Sequence, residues 1–105
     1  MLKAEYHRIN SREAKERIDN DKDIIIVDVR TEEEFSEGHI PNSINIPLSA
    51  VIDQAKQLFT KDTKLFIYCR SGVRSRIAAS QLALMGFNKV YDFGGILSWP
   101  YDITK

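Results

Sequence analysis

Apolar and polar positions along this chain change period several times, and each change marks an element. Ile24-Ile25-Ile26-Val27 and Leu65-Phe66-Ile67-Tyr68 are uninterrupted apolar runs bounded by turn residues. That is the pattern of strands buried on both faces of a parallel sheet. Leu48, Val51, Ile52, Ala55, Leu58 and Phe59 recur at helical spacing and predict a helix over 48–59. Ser75 to Met85 is alanine-rich and apolar on most of its circumference, which predicts a largely buried helix stopped by Gly86. Shorter elements fill the gaps. Met1 to Ile9 reads as an edge strand, and Asn10-Ser11 caps a helix through Ile18. Thr31 caps a brief helix through Glu34 and Phe35, with acidic residues where the helix dipole favours them. Ser43 to Ile46 is a short strand ended by Pro47, and Lys89 to Asp92 is the last strand, before Gly94-Gly95 and a turn carrying Leu97 and Trp99.

Strands alternating with helices predict an α/β fold: a central, mostly parallel sheet of about five strands with helices on both faces. Ligands of such sheets bind at the carboxyl ends of the strands. Cys69 follows directly from the strand Lys64 to Tyr68, and Asp28 ends another. The candidate chemistry therefore gathers at one edge of the molecule.

Composition narrows the classes. The 105 residues suit one domain spanning 1–105, with a core that needs neither disulfide nor metal. Lys plus Arg and Asp plus Glu are both 15, so no net field argues for nucleic acid or membrane. A single cysteine excludes an internal disulfide, and His7 and His39 stand far apart, so neither a metal nor another cofactor is expected. With no signal-peptide pattern and no long apolar span, the expected location is a reducing cytoplasm.

The local chemistry lies in Cys69-Arg70-Ser71-Gly72-Val73-Arg74-Ser75-Arg76. A buried strand that breaks into a loop and restarts as a helix leaves backbone N–H groups pointing into the gap, where negative charge is favoured. A free thiol at its ordinary pKa is only a few per cent thiolate at neutral pH. Raising that fraction substantially takes about 2 kcal/mol, within reach of aligned amides and neighbouring arginines. A cysteine that merely ends a core strand is the plain alternative. The glycine, two serines and arginines directly after Cys69 favour a nucleophile.

These residues resemble the rhodanese family of sulfurtransferases in its single-domain form. Asp28-Val29-Arg30 with Glu34-Phe35 is similar to its first signature, and Gly38 to Pro47 to its second. Tyr68 to Ser75 is similar to the active-site loop, and Gly94-Gly95-Ile96 with Trp99 to the closing signature. Asn42-Ser43 stands where Gly-Ala is usual, and Ile96 where an aromatic is commoner.

The resemblance implies a rhodanese-like fold and a thiosulfate sulfurtransferase working through a cysteine persulfide. Cys69 would take sulfur from a small donor anion such as thiosulfate, or from a polysulfide or persulfide. It would pass that sulfur to cyanide or a thiol, with thioredoxin or a sulfur-accepting protein among the acceptors. The amides of Arg70, Ser71, Gly72, Val73 and Arg74 would cradle the terminal sulfur, and Arg70 and Arg74 would hold an anionic donor. Arg76 suits a surface ion pair equally well. Ser71 and Ser75 could donate hydroxyls toward the sulfur, Ser75 serving equally as a helix cap. Gly72 would take a positive φ or let the bound group approach the backbone closely, and Asp28 and Arg30 would brace the loop. His39 would be structural, and Phe93 and Trp99 core. A monomer or weak dimer is expected.

Three rivals remain at this point. A sulfur relay or a non-catalytic regulatory module shares the fold. Cysteine-dependent phosphatases and arsenate reductases use a cysteine-and-arginine cradle, but with one more residue between the two than separates Cys69 from Arg74. The tighter loop suits a single sulfur better than a phosphate.

Overall fold

A computed structural model describes residues 5–105. The two uninterrupted apolar runs are its interior strands. Ile25–Asp28 (β2) and Lys64–Cys69 (β4) pair in parallel from Ile25 opposite Leu65 to Asp28 opposite Tyr68. Lys89–Gly95 (β5) flanks β4, His7–Arg8 (β1) lies outside it, and Ile44–Asn45 (β3) closes the other edge. The order is β1-β5-β4-β2-β3 with every pair parallel, so the carboxyl ends share one edge.

Alternation along each strand divides the core in two. Val27, Val29, Leu65, Ile67, Cys69 and Val90 face the helices Val51–Leu58 (α3) and Val73–Leu84 (α4). Ile26, Phe66, Tyr68 and Phe93 face the other way, against Ala14 of Ser11–Asn20 (α1), Ile40 and Trp99. Capping sets the helix starts as expected. The Asn10 side chain accepts from Glu13 N–H, and Thr31 and Glu34 cap each other reciprocally at the head of Glu32–Glu37 (α2).

Several elements depart from the sequence reading. The first strand is only His7–Arg8 within the described residues, and Met1 to Ala4 lie outside them. The helix expected over 48–59 opens as a 3-10 turn, Leu48–Ala50, because Leu48 N–H is tied to the Val29 carbonyl beside the sheet. Helix α4 starts at Val73, and it is buried on one side only. Ser75, Ala78, Ala79 and Leu82 meet the sheet, while Val73, Ile77 and Leu84 are 53%, 43% and 69% exposed. An alanine-rich helix carries no mark of which side the sheet covers.

Strand β5 runs on to Gly95 instead of stopping at Asp92. Ile67 pairs with Asp92, but Cys69 pairs with Gly95, so β5 holds one extra residue there. Such a bulge bends the strand beside a site. Gly94 takes it up at φ 91°. Among the described residues no helix is long and apolar enough to cross a membrane.

Candidate active site

Cys69 is the last residue of β4 and is 1% exposed. The sequence places its thiol at the mouth of a loop, whereas the structure puts it on the loop floor. Gly72 adopts φ 104°, the left-handed conformation a side chain would resist, and its N–H turns back to donate to Cys69 Sγ at 3.0 Å. The amides of Arg70, Ser71, Val73 and Arg74 find no acceptor among the described residues. They belong to the loop and to the first turn of α4, where no intrahelical acceptor exists. Two crevices open beside the loop. One is lined in part by Arg30, Glu34, Arg70 and Leu97, the other by Ser71, Phe93, Gly94 and Gly95, and Cys69 lines neither.

The loop is held by its crossing with β5. A Cβ on Gly95 would sit 2.2 Å from the Arg70 carbonyl oxygen and 2.7 Å from Ser71 Cα. Only a glycine lets the two chains pass this closely. The Arg70 carbonyl is then fixed by Leu97 N–H at 3.2 Å.

Ser75 does not play either expected part. Gly72 is the residue that caps α4. The Ser75 hydroxyl donates to Asp92 Oδ1 at 2.8 Å, and Cys69 Sγ lies 3.6 Å from Ser75 Oγ as a donor to it. The arginines divide. Arg74 forks both oxygens of Glu34, at 2.7 and 3.0 Å, which holds that carboxyl at about 2. Arg70 and Arg76 are exposed and form no ion pair among the described residues, so the surface pair considered for Arg76 is not seen there.

Asp28 and Arg30 lie on the opposite face of the sheet and brace it through an ion pair. Asp28 is wholly buried and accepts from Arg30 Nε at 3.0 Å and Nη2 at 2.7 Å, and Arg30 Nη2 also reaches the Gly38 carbonyl at 2.7 Å. Burial works against the charged guanidinium, yet the carboxylate beside it outweighs that and raises Arg30 above its ordinary value. Tyr68, the neighbour of Cys69, accepts from Ile40 N–H and shares a bond with Ser43 Oγ, both at 3.1 Å, and burial pushes its phenol up. His39 stacks on Phe35 with ring centres 3.7 Å apart, bridges Thr104 through its backbone, and stands apart from the sulfur in a structural turn. Phe93 and Trp99 pack in the core, 5.6 Å between ring centres.

The structure therefore joins Cys69, Gly72 and Ser75 in direct contact, with the rest of the loop around them. It adds Asp92 and Glu34, which sequence reasoning did not place in the site, while Tyr68 of the loop signature turns its side chain to the other face of the sheet. The signal for Asp92 was a charge at an inward position of a short apolar strand.

Three comparisons bear on kinship. The family profile described as Rhodanese-like domain matches residues 10–100. A protein of Allochromatium vinosum named sulfurtransferase is 33% identical over 94 residues, covering 89% of this chain and 87% of that one. The crystal structure of a rhodanese-related protein from Thermoplasma volcanium superposes with a TM-score of 0.81 at 37% identity, covering 94% of this chain and 98% of that one. A rhodanese-like domain protein from Staphylococcus aureus gives 0.80 at 34% identity, covering 91% and 93%. These likenesses span both cores and the loop around Cys69, and the chain belongs to the rhodanese-like domain family.

Proposed function

We propose that this chain is a sulfurtransferase that carries sulfane sulfur as a persulfide on Cys69. The observation that supports it best is the Gly72 N–H on Cys69 Sγ at 3.0 Å, in a loop whose amides at Arg70, Ser71, Val73 and Arg74 find no acceptor among the described residues. Preorganised donors of this kind stabilise an anionic sulfur better than water does, because they need no reorganisation when the charge appears.

The cycle has two displacements. Cys69, its proton released to solvent, attacks the outer sulfur of thiosulfate, a polysulfide or a persulfide. With thiosulfate, the bond from Sγ to that sulfur forms, the sulfur–sulfur bond of the donor breaks, and sulfite leaves with the electron pair. The product is Cys–S–S⁻. A thiol or cyanide then attacks the terminal sulfur and the Cys69 thiolate leaves. Arg70, exposed and without an ion pair among the described residues, attracts the anionic donor, while Arg74 acts through its fork with Glu34 to hold the loop against α2. Because Cys69 is covered, loading requires the 70–72 segment to move aside and return.

Cys69→Ser tests this. After exposure to thiosulfate or polysulfide, the intact mass of the parent rises by one sulfur and that of the variant does not. Turnover or added sulfur in the serine variant refutes the proposal, as does a parent that gains no sulfur from any of these donors.

A further inference from the structure

Asp92 is a buried carboxylate that the two displacements leave unused. It is 2% exposed, sits on β5 at the bulge, and forms no ion pair among the described residues. Its partners are Gly94 N–H at 2.9 Å and the Ser75 hydroxyl at 2.8 Å, both bonds reaching Oδ1. Cys69 on β4 and Ser75 on α4 face it, and Arg8 on β1 stands in register with it, exposed and unpaired to it. Arg74, on the same helix as Ser75, is turned to Glu34.

Ser75 has one hydroxyl proton and three acceptors within reach: Asp92 Oδ1 at 2.8 Å, the Gly72 carbonyl at 3.2 Å and the Gly94 carbonyl at 3.3 Å. The shortest bond, to a carboxylate, takes it. Toward Cys69 the serine then offers only lone pairs, which suit S–H and repel S⁻. Persulfide formation changes the balance, since the inner sulfur loses the proton it gave Ser75 and a negative charge appears on the outer sulfur, one bond further from Asp92 and among the loop amides.

We propose that Asp92, acting through Ser75, is a positioning residue that holds unloaded Cys69 as a hydrogen-bond donor and biases the site toward its unloaded form, so that a bound sulfur is readily passed on. This rests on the persulfide reading above. A negative charge that appears beside another on loading is worth about threefold in the loaded-to-unloaded ratio.

Asp92→Asn tests it, because the amide oxygen still accepts from Ser75 and Gly94 while the charge is gone. Two readouts are taken on the full chain. The first is the loaded fraction by intact mass after equilibration in a fixed thiosulfate and sulfite mixture, where the ratio rises about threefold in the variant. The second is the rate of Cys69 alkylation by iodoacetamide across pH in unloaded protein, where the variant's profile moves to lower pH. A purely structural role for Asp92 moves neither readout once circular dichroism shows the variant folded, and superimposed results overturn the proposal. A profile displaced to higher pH, which would make Asp92 the acceptor of the thiol proton, overturns it too. If Asp92→Asn does not fold, Ser75→Ala removes the S–H acceptor and must move the alkylation profile in the same downward direction. Failure of the persulfide reading shows separately, as absence of added sulfur in the parent, and leaves the alkylation comparison intact.

Discussion

Gly95→Ala isolates what the crossing of β5 under the loop contributes. The new methyl carbon would stand 2.2 Å from the Arg70 carbonyl oxygen and 2.7 Å from both Arg70 C and Ser71 Cα. All three contacts are backbone, so no flexible side chain can swing away. Relief requires the 70–71 segment to lift by about 1 Å, since non-bonded carbon and oxygen settle at roughly 3.2 Å or more. Overpacking of this kind costs about 1–3 kcal/mol. The lift acts on the hydrogen bonds that close the loop: Leu97 N–H to the Arg70 carbonyl at 3.2 Å and Gly72 N–H to Cys69 Sγ at 3.0 Å. A displacement near 1 Å at a reacting centre can cost about a hundredfold in rate. Urea denaturation would read the first effect, and the rate of sulfur addition to Cys69 by intact mass the second. The expected result is a folded variant, modestly destabilised, that loads far more slowly. Loading within threefold of the parent would refute the view that this close passage sets the loop.

Other outcomes follow from the ion pairs and the exposed arginine. Arg30→Met leaves Asp28 buried without its cation and should cost about 3–5 kcal/mol in denaturant titration; a loss under about 1 kcal/mol would mean that Asp28 is not a buried charge. Glu34 is held at about 2 by Arg74, against 4.5 ordinarily, so the unfolded chain takes up this proton first. The stabilisation is whole above pH 4.5 and fades as pH falls toward 2, worth about 1 kcal/mol once solvent screening is allowed for. Comparing the acid limbs of parent and Glu34→Gln unfolding checks it, and parallel limbs contradict the pairing. Arg70→Ala should slow loading from thiosulfate more than loading from a long polysulfide, and equal losses would remove its anion-attracting role.

Much of this was readable from residue order, and what was not had physical reasons. The interior strands declared themselves because Ile24–Val27 and Leu65–Tyr68 are apolar at successive positions, as burial on both faces demands. The residues of the loop were legible through Cys69, Gly72 and the arginines, and the left-handed turn at Gly72 followed from local sterics. Pairings between distant residues were not legible. Nothing near Arg74 indicates that its partner is Glu34, forty positions earlier, and nothing near Ser75 points to Asp92. The exposure of Ile77 and Leu84 was hidden because an apolar residue reads alike on either side of a helix. The cover over the thiol was hidden because it depends on where one N–H points.

The bulge in β5 explains why these hidden features occur together. A regular ladder that pairs Ile67 with Asp92 would go on to pair Cys69 with Gly94. The extra residue brings Gly95 there instead. Gly95 is the position where the loop backbone crosses too closely for any Cβ, and Asp92, before the bulge, keeps its side chain toward α4 and Ser75. One inserted residue thus brings the gap for the loop and the carboxylate behind the sulfur to the same end of β4. The loop residues alone do not make the site; the register of β5 against β4 does. Deleting Gly94 should therefore disturb both the Gly72 contact and the Ser75–Asp92 bond at once, although neither group is part of that residue.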